Sequence, residues 1–359
     1  MALGRTVRTI IDGMPGINVP QVSYGSDKNG LIWGYLFGAD GPPKEIDSEA
    51  AAEWIGGAPA SDQAAFLWLH FSLSNTAAER WMRQSLQLPE GYYESLRESV
   101  GSTRLEQAGD ALVAVIHDVL FDTANFDSSS VSTVTLCVTP RLVVSARLRP
   151  LRSLDRLRAA VRAGQELRST AELLAHLLRD QADVLVNIVR QSTSQVDSFE
   201  DTLLANRMTV TREELSALRR TLVRLQRLLA PEPAALFRLL SRPAAWVNER
   251  DAQDLRQAAE EFSAAVADAM ALSERVKLLQ EELIAQVNEQ TSRTLFVLTV
   301  VTVLALPINL IAGLFGMNVG GIPLAQFRHG FLLVVVAVTI ITALLAYIAY
   351  RALGRQHEH

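Results

Sequence analysis

The chain has 359 residues, 49% of them hydrophobic and 20% charged, and a formal net charge of −5. The charge is unevenly placed: no Asp, Glu, Lys or Arg occurs from Thr294 to Phe327, nor from Gly330 to Tyr350. A helix needs about 20 apolar residues to cross about 30 Å of hydrocarbon, so each stretch can span a bilayer and a simple soluble enzyme is excluded. No block of Lys and Arg is present, which argues against nucleic acid as a partner. One thiol, Cys137, can make neither an internal disulfide nor a thiolate metal cluster, and reads as a small buried hydrophobe. The first residues, Met1 to Gly16, lack the continuous apolar core of a secretory signal.

Residues 1–30 are rich in Gly and Pro and read as surface chain. Short apolar or alternating runs at 31–37, 66–72, 111–121, 132–139 and 141–147 predict strands, with Thr139-Pro140-Arg141 as a hairpin turn. Residues 48–54 and 75–86 read as helices, the second with Asn75 as its N-cap. Strands mixed with helices give an α+β domain over 1–150. After Pro150 the period becomes helical, with breaks at Ala163-Gly164, 206–211, Pro231/Pro233 and Pro243. Helices are expected near 151–163, 168–205, 212–230 and 245–315. Ser169 with Glu172, and Thr211 with Glu214, fit capping boxes.

The organisation that follows is a helical hairpin region over 151–243, a stalk helix over 244–293 and a first span over 294–318. A loop at 319–330, a second span over 331–350 and a tail at 351–359 complete it. Pro307 falls inside the first span, where a proline kinks a helix without ending it. At about 1.5 Å per residue a helix over 245–315 is about 105 Å long. Such a rod needs partner helices, and other copies of the same chain are the economical source. Arg275, Lys277 and Arg293 before the first span, with Arg351 and Arg355 after the second, place both termini in the cytoplasm.

Steps of seven back from Asn309 give Thr302, Leu295, Asn288 and Glu281, with Thr299 and Leu306 beside them. This line is polar or mixed, whereas the other faces of the span carry Val, Leu, Ile and Phe. A mid-membrane Asn must face protein or water, which makes the line a candidate pore wall. Interhelical hydrogen bonding by Thr and Asn accounts for the same pattern without a pore. Leu295, Leu298 and Leu306 could form hydrophobic constrictions.

The first span ends Gly313-Leu-Phe-Gly-Met-Asn-Val-Gly-Gly-Ile-Pro323. A ring of backbone carbonyls and Asn318 amide oxygens would suit a divalent cation held through its first water shell. With Gly316-Met317-Asn318 closing a long helix, then a short loop, a final span and a basic tail, the whole chain resembles the CorA superfamily of divalent metal transporters. The resemblance implies a homopentameric funnel in the bacterial inner membrane. It also implies that the stalk continues into the pore-lining span and that the motif forms the selectivity ring.

One departure bears on the cargo. The loop has no Asp or Glu; it carries Gly320, Gly321, Ile322 and Pro323, and then His329. Gly-Gly-Ile-Pro is similar to the ZntB branch, which implies Zn2+ as cargo and protons moving in the same direction. A loop without an acidic ring is a poor electrostatic attractor for a dication. The remaining candidates for metal are Asn318 in the mouth and Glu281, the carboxylate on the heptad line.

Among the histidines, His70 and His117 sit in strand-like runs and read as structural, and His357 and His359 as frayed tail. No GxxxxGK[ST] loop provides for ATP, and no HExxH or GxSxG for catalysis. No resident cofactor is expected; the partners are the lipid bilayer, other copies and the transported ion. Two other readings stay open: a Mg2+/Co2+/Ni2+ channel of the same fold, and a membrane-tethered coiled-coil scaffold.

Overall fold

The computed structural model describes residues 25–38, 41–57, 65–97, 103–120, 131–205, 212–317 and 327–356. The chain forms two compact units, Met1–Lys277 and Leu278–His359.

The first unit is built on a seven-stranded sheet of order β2-β1-β3-β7-β6-β5-β4. The strands are β1 (Leu31–Phe37), β2 (Lys44–Ile46), β3 (Phe66–Ser72), β4 (Arg104–Ala108), β5 (Ala111–Val119), β6 (Val131–Val138) and β7 (Leu142–Arg147). All neighbours run antiparallel except β3 and β7. The expected hairpin joins β6 to β7: Thr139 N–H donates to the Leu142 carbonyl at 2.8 Å, and its hydroxyl accepts from Leu142 N–H at 3.1 Å.

Helices cover both faces, so β3 reads as a continuous apolar run. Trp33, Tyr35, Phe66, Trp68, Ile116 and Leu136 face one layer, made by α4 (Arg152–Arg162), α5 (Thr170–Leu204), α7 (Pro231–Leu240) and the start of α8 (Glu249–Phe315). Leu67, Leu69, Phe71, Cys137 and Val144 face the other, with α1 (Ser48–Gly57), α2 (Ala77–Ser85) and α3 (Glu90–Arg97). His70, expected to be structural, is fully buried: it stacks on Trp33 with ring centroids 4.0 Å apart, and its Nδ1 lies 2.7 Å from Ser145 Oγ.

Several boundaries are set by identifiable caps. The helix expected from Asn75 starts at Ala77, with Thr76 rather than Asn75 at the cap position and no side-chain cap bond from it; Asn75 Oδ1 accepts from Ala77 N–H at 3.0 Å. Ser169 Oγ accepts from Glu172 N–H at 3.0 Å; the Glu172 carboxylate reaches one residue further back than in a standard box, to Arg168 N–H at 2.7 Å. Helix α8 begins at Glu249 because Asn248 Oδ1 accepts from Asp251 N–H at 2.8 Å. Helix α4 has apolar Leu151 at its N-cap, so the cap comes from another element: the Asp118 carboxylate accepts from Ser153 N–H at 3.0 Å and Ser153 Oγ at 2.7 Å.

One expectation on the breakers needs correction. Pro231 and Pro233 start a helix, α7, because proline at a first turn loses an N–H that has no partner there anyway. The capping box at Thr211 lies outside the described residues. The charged edge strands β2 and β4 and helix α3 were not legible as elements.

Helix α6 (Arg212–Leu229) completes a third apolar cluster. There Leu225 and Leu229 meet Leu185 and Ile188 of α5, Phe262 and Val266 of α8, and Val119 of β5.

The second unit holds the remainder of α8 and helix α9 (Gly330–Gln356). Both α8 and α9 contain windows long and apolar enough to cross a membrane. Their large apolar side chains point outward: Leu298 is 61%, Leu306 65% and Phe331 84% exposed. So much apolar surface on one unit requires lipid or partner helices to cover it. Pro307 leaves α8 continuous, as expected.

Candidate cation pathway

Glu281, Asn288, Leu295, Thr299, Thr302, Leu306 and Asn309 all lie on α8 with exposed side chains. An ideal straight helix drifts about 20° per heptad, so over four heptads the line from Glu281 to Asn309 turns by about 80°, and it keeps to one face only where the helix supercoils left-handedly. Part of its polarity is discharged locally. Thr299 Oγ1 donates to the Leu295 carbonyl and Thr302 Oγ1 to the Leu298 carbonyl, both at 2.8 Å. Thr339 and Thr342 do the same on α9. A threonine that satisfies itself this way is tolerated against lipid as well as against a pore, so these two hydroxyls do not by themselves distinguish the two faces. An asparagine amide cannot satisfy all its donors and acceptors so, and Asn309 carries the polar signal of the line.

Helix α8 ends at Phe315, directly before Gly316 of the Gly316-Met317-Asn318 motif. Gly316 N–H donates to the Ala312 carbonyl at 2.9 Å, and a Cβ at Gly316 would sit 3.0 Å from that same oxygen. Glycine thus lets the last turn close tightly. Met317 is exposed. Asn318, Gly320, Gly321, Ile322 and Pro323 lie outside the described residues. On the far side of the loop His329 is exposed, and its carbonyl accepts from Leu333 N–H at 3.1 Å in the first turn of α9.

Among the described residues no group of three His, Cys, Asp or Glu side chains is placed to hold a metal ion. A tetrahedral zinc site requires such a group. The donor set along α8 is instead oxygen-rich and spread along a helix face, which suits a passing hydrated cation better than a resident one.

Two contacts that sequence spacing does not reveal hold the first part of α8 against α5. Near its start, Arg179 Nη2 lies 3.8 Å from Asp254 Oδ1. Further on, Arg275 donates from Nε to Glu200 at 2.7 Å and from Nη2 to Asp197 at 2.7 Å, and contacts Glu200 again through Nη2. From Arg179 to Glu200 is the same run of residues as from Asp254 to Arg275, so the two helices run parallel and in step. Within α8 itself, Lys277 Nζ lies 3.4 Å from Glu274 Oε2, three residues back.

A mixed sheet covered by helices, with two helices long and apolar enough to span, defines a membrane protein with two candidate spans. The chain belongs to the family described as CorA-like Mg2+ transporter protein, whose model matches residues 63–351. It is 29% identical over 316 residues to the divalent cation transporter CmaX of Pseudomonas aeruginosa, covering 87% of this chain and 92% of that one. It is 22% identical over 287 residues to the zinc transport protein ZntB of Pectobacterium carotovorum, covering 80% and 87%. The solved structure of full-length CmaX superimposes with a TM-score of 0.76 at 25% identity, covering 91% of this chain and 99% of that one. The CorA magnesium transporter of Methanocaldococcus jannaschii shares the fold, with a TM-score of 0.71 at 18% identity and coverage of 88% and 96%.

Proposed function

We propose that the chain carries divalent cations, with Zn2+ as the principal cargo, along the axis of a homopentamer in a bacterial inner membrane. The observation that carries the reading is the Gly316-Met317-Asn318 motif followed by a loop without Asp or Glu, at the end of a helix that continues from the soluble unit. In this reading Asn318 oxygens form the external ring and Asn309 is the polar step in mid-span. Leu295 and Leu306 are the narrow apolar steps, and Asn288 and Glu281 receive the ion at the inner end. Gly320 to Pro323 and His329 shape the mouth. Both termini are cytoplasmic, supported by Arg and Lys flanking the spans.

The zinc assignment is supported by the loop without Asp or Glu and by the relatives named ZntB. A mouth without acidic side chains does not concentrate dications by its own field, and proton movement in the same direction would supply a driving force for uptake. Uptake of Zn2+ into liposomes containing the protein, with and without an imposed pH gradient, tests the reading. Zinc flux that rises with an inward proton gradient is expected. Mg2+ flux without zinc flux would sink the zinc assignment.

A second reading, a Mg2+/Co2+/Ni2+ channel, is favoured by the family description and by the CmaX relative. It predicts current insensitive to pH. A membrane-tethered scaffold predicts that Asn318→Ala leaves function intact; the transport readings predict loss of flux with assembly retained.

A further inference from the structure

Strand β4 covers the outer edge of β5 only as far as the pairing of Arg104 with Val115. Beyond that point the edge of β5 is open, and two side chains close it. Glu232, in the first turn of α7, accepts from the backbone N–H of His117 through Oε1 at 2.6 Å. Gln181, on α5, donates from Nε2 to the backbone carbonyl of His117 at 2.7 Å. The N–H and C=O of one strand residue point to the same side, so Glu232 and Gln181 lie side by side along that edge. Together they replace the missing partner strand.

Each of these side chains has one oxygen left over. Glu232 Oε2 and Gln181 Oε1 are both buried and neither has a hydrogen-bond partner. Both are acceptors if Glu232 is ionised, and two adjacent orphan acceptors around a buried charge are costly. Glu232 has no exposure at all. Burial outweighs the contacts with His117, which favour the charged form. His117 Nδ1 is 3.6 Å from Glu232 Oε1 but closer, at 3.2 Å, to Thr103 Oγ1. The Thr103 hydroxyl donates to the Leu228 carbonyl at 3.3 Å, which leaves its oxygen to accept from the histidine ring. Asp118, next on β5, adds a negative charge, and Asp180 on α5 lies beyond it against Arg156 of α4.

A single proton resolves this arrangement. Placed on Glu232 Oε2, it gives Gln181 Oε1 a donor and closes a ring: His117 N–H to Glu232, Glu232 O–H to Gln181, Gln181 N–H back to the His117 carbonyl. We propose that Glu232 is held as the neutral acid in the folded protein and that this ring is a proton-operated latch joining α5, β5 and α7. Rising pH removes the proton, breaks one side of the ring and leaves a buried charge at the helix that precedes α8. The inference does not depend on which cation is carried.

Burial pushes Glu232 up to about 7, above its ordinary value of 4.5. The sign follows from linkage: an acid raised on folding adds stability that is full below its unfolded value and is lost as pH rises through about 7. Burial raises Asp118 and Asp180 in the same direction, to about 6, so their share is lost earlier.

Glutamine at 232 is the isostere of the protonated acid: its carbonyl accepts from His117 and its amide donates to Gln181. All five tryptophans precede the spans, so their fluorescence reports unfolding of the first unit in the detergent-solubilised full-length protein. Expected is a wild-type Tm that falls by several degrees as pH rises through about 7. Glu232→Gln should match the wild type at acidic pH and hold its Tm above it at alkaline pH. A variant that tracks the wild-type profile, or loses stability at acidic pH, overturns the proposal. Should the variant not fold, infrared absorption of the wild type decides. A protonated carboxyl titrating near 7, later than Asp118 and Asp180, is required, and its absence overturns the proposal equally.

Discussion

Arg275 lays its guanidinium against the Glu200 carboxylate, with Nε 2.7 Å from Oε1 and the same group shared with Asp197. The contact joins α8 to the far end of α5, immediately before the residues that lead toward the spans. It gives the helix a fixed point in the first unit.

Arg275→Ala should therefore lower the thermal stability of the first unit, by no more than about 1 kcal/mol because the pair is partly exposed. The loss should shrink at high salt, where exposed charges are screened. Arg275→Lys should restore only part of it, since an ammonium cannot place two parallel N–H groups on one carboxylate. Thermal melts of the three proteins at low and high salt check this; a salt-independent loss would assign the effect to packing instead.

Cys137 is buried with no exposure, and that burial pushes its thiol up to about 12. The thiolate is the reactive form, so a thiol reagent at mildly alkaline pH should leave the folded protein unlabelled. After denaturation the single thiol should react fully. Appreciable labelling of native protein would show that the β6 face opens locally.

The long helix, the β6–β7 hairpin and the Ser169 cap were legible because each rests on local signals: unbroken periodicity, a Thr-Pro turn, and a hydroxyl three residues before a glutamate. The same signals misled at Pro231 and Pro233, where two breakers in sequence became the start of α7. Charged β4 and three-residue β2 owe their strand state to neighbours rather than to their own composition. In the candidate pathway, the heptad line was readable, but the self-satisfied hydroxyls of Thr299 and Thr302 were not. The Glu232–His117–Gln181 grouping and the Arg275 contact join residues far apart in the chain, and no spacing rule reaches them.

The difference between the threonines and Asn309 can be measured. Thr302→Val removes a hydroxyl already spent on its own helix, and transport should stay near the wild-type level. Asn309→Leu removes an amide that a passing ion or its water would use; one such contact is worth about 1.4 kcal/mol, so flux should fall about tenfold. The elution profile on size-exclusion chromatography should be unchanged in both. Equal effects of the two substitutions would count against Asn309 as the polar step.

The parallel pair at the centre of the sheet has a temporal consequence. β3 is finished at Ser72, but the strand it needs on its inner side begins at Leu142. Between them the chain makes α2, α3 and three further strands. At about 5–20 residues per second, a ribosome takes several seconds to deliver that partner. During the wait the backbone edge from Leu67 to Ser72 has nothing to pair with on that side, among the most apolar residues of the unit. The nascent chain is thus most exposed to mispairing with its neighbours before either span has been made, and a holding chaperone would find its target there.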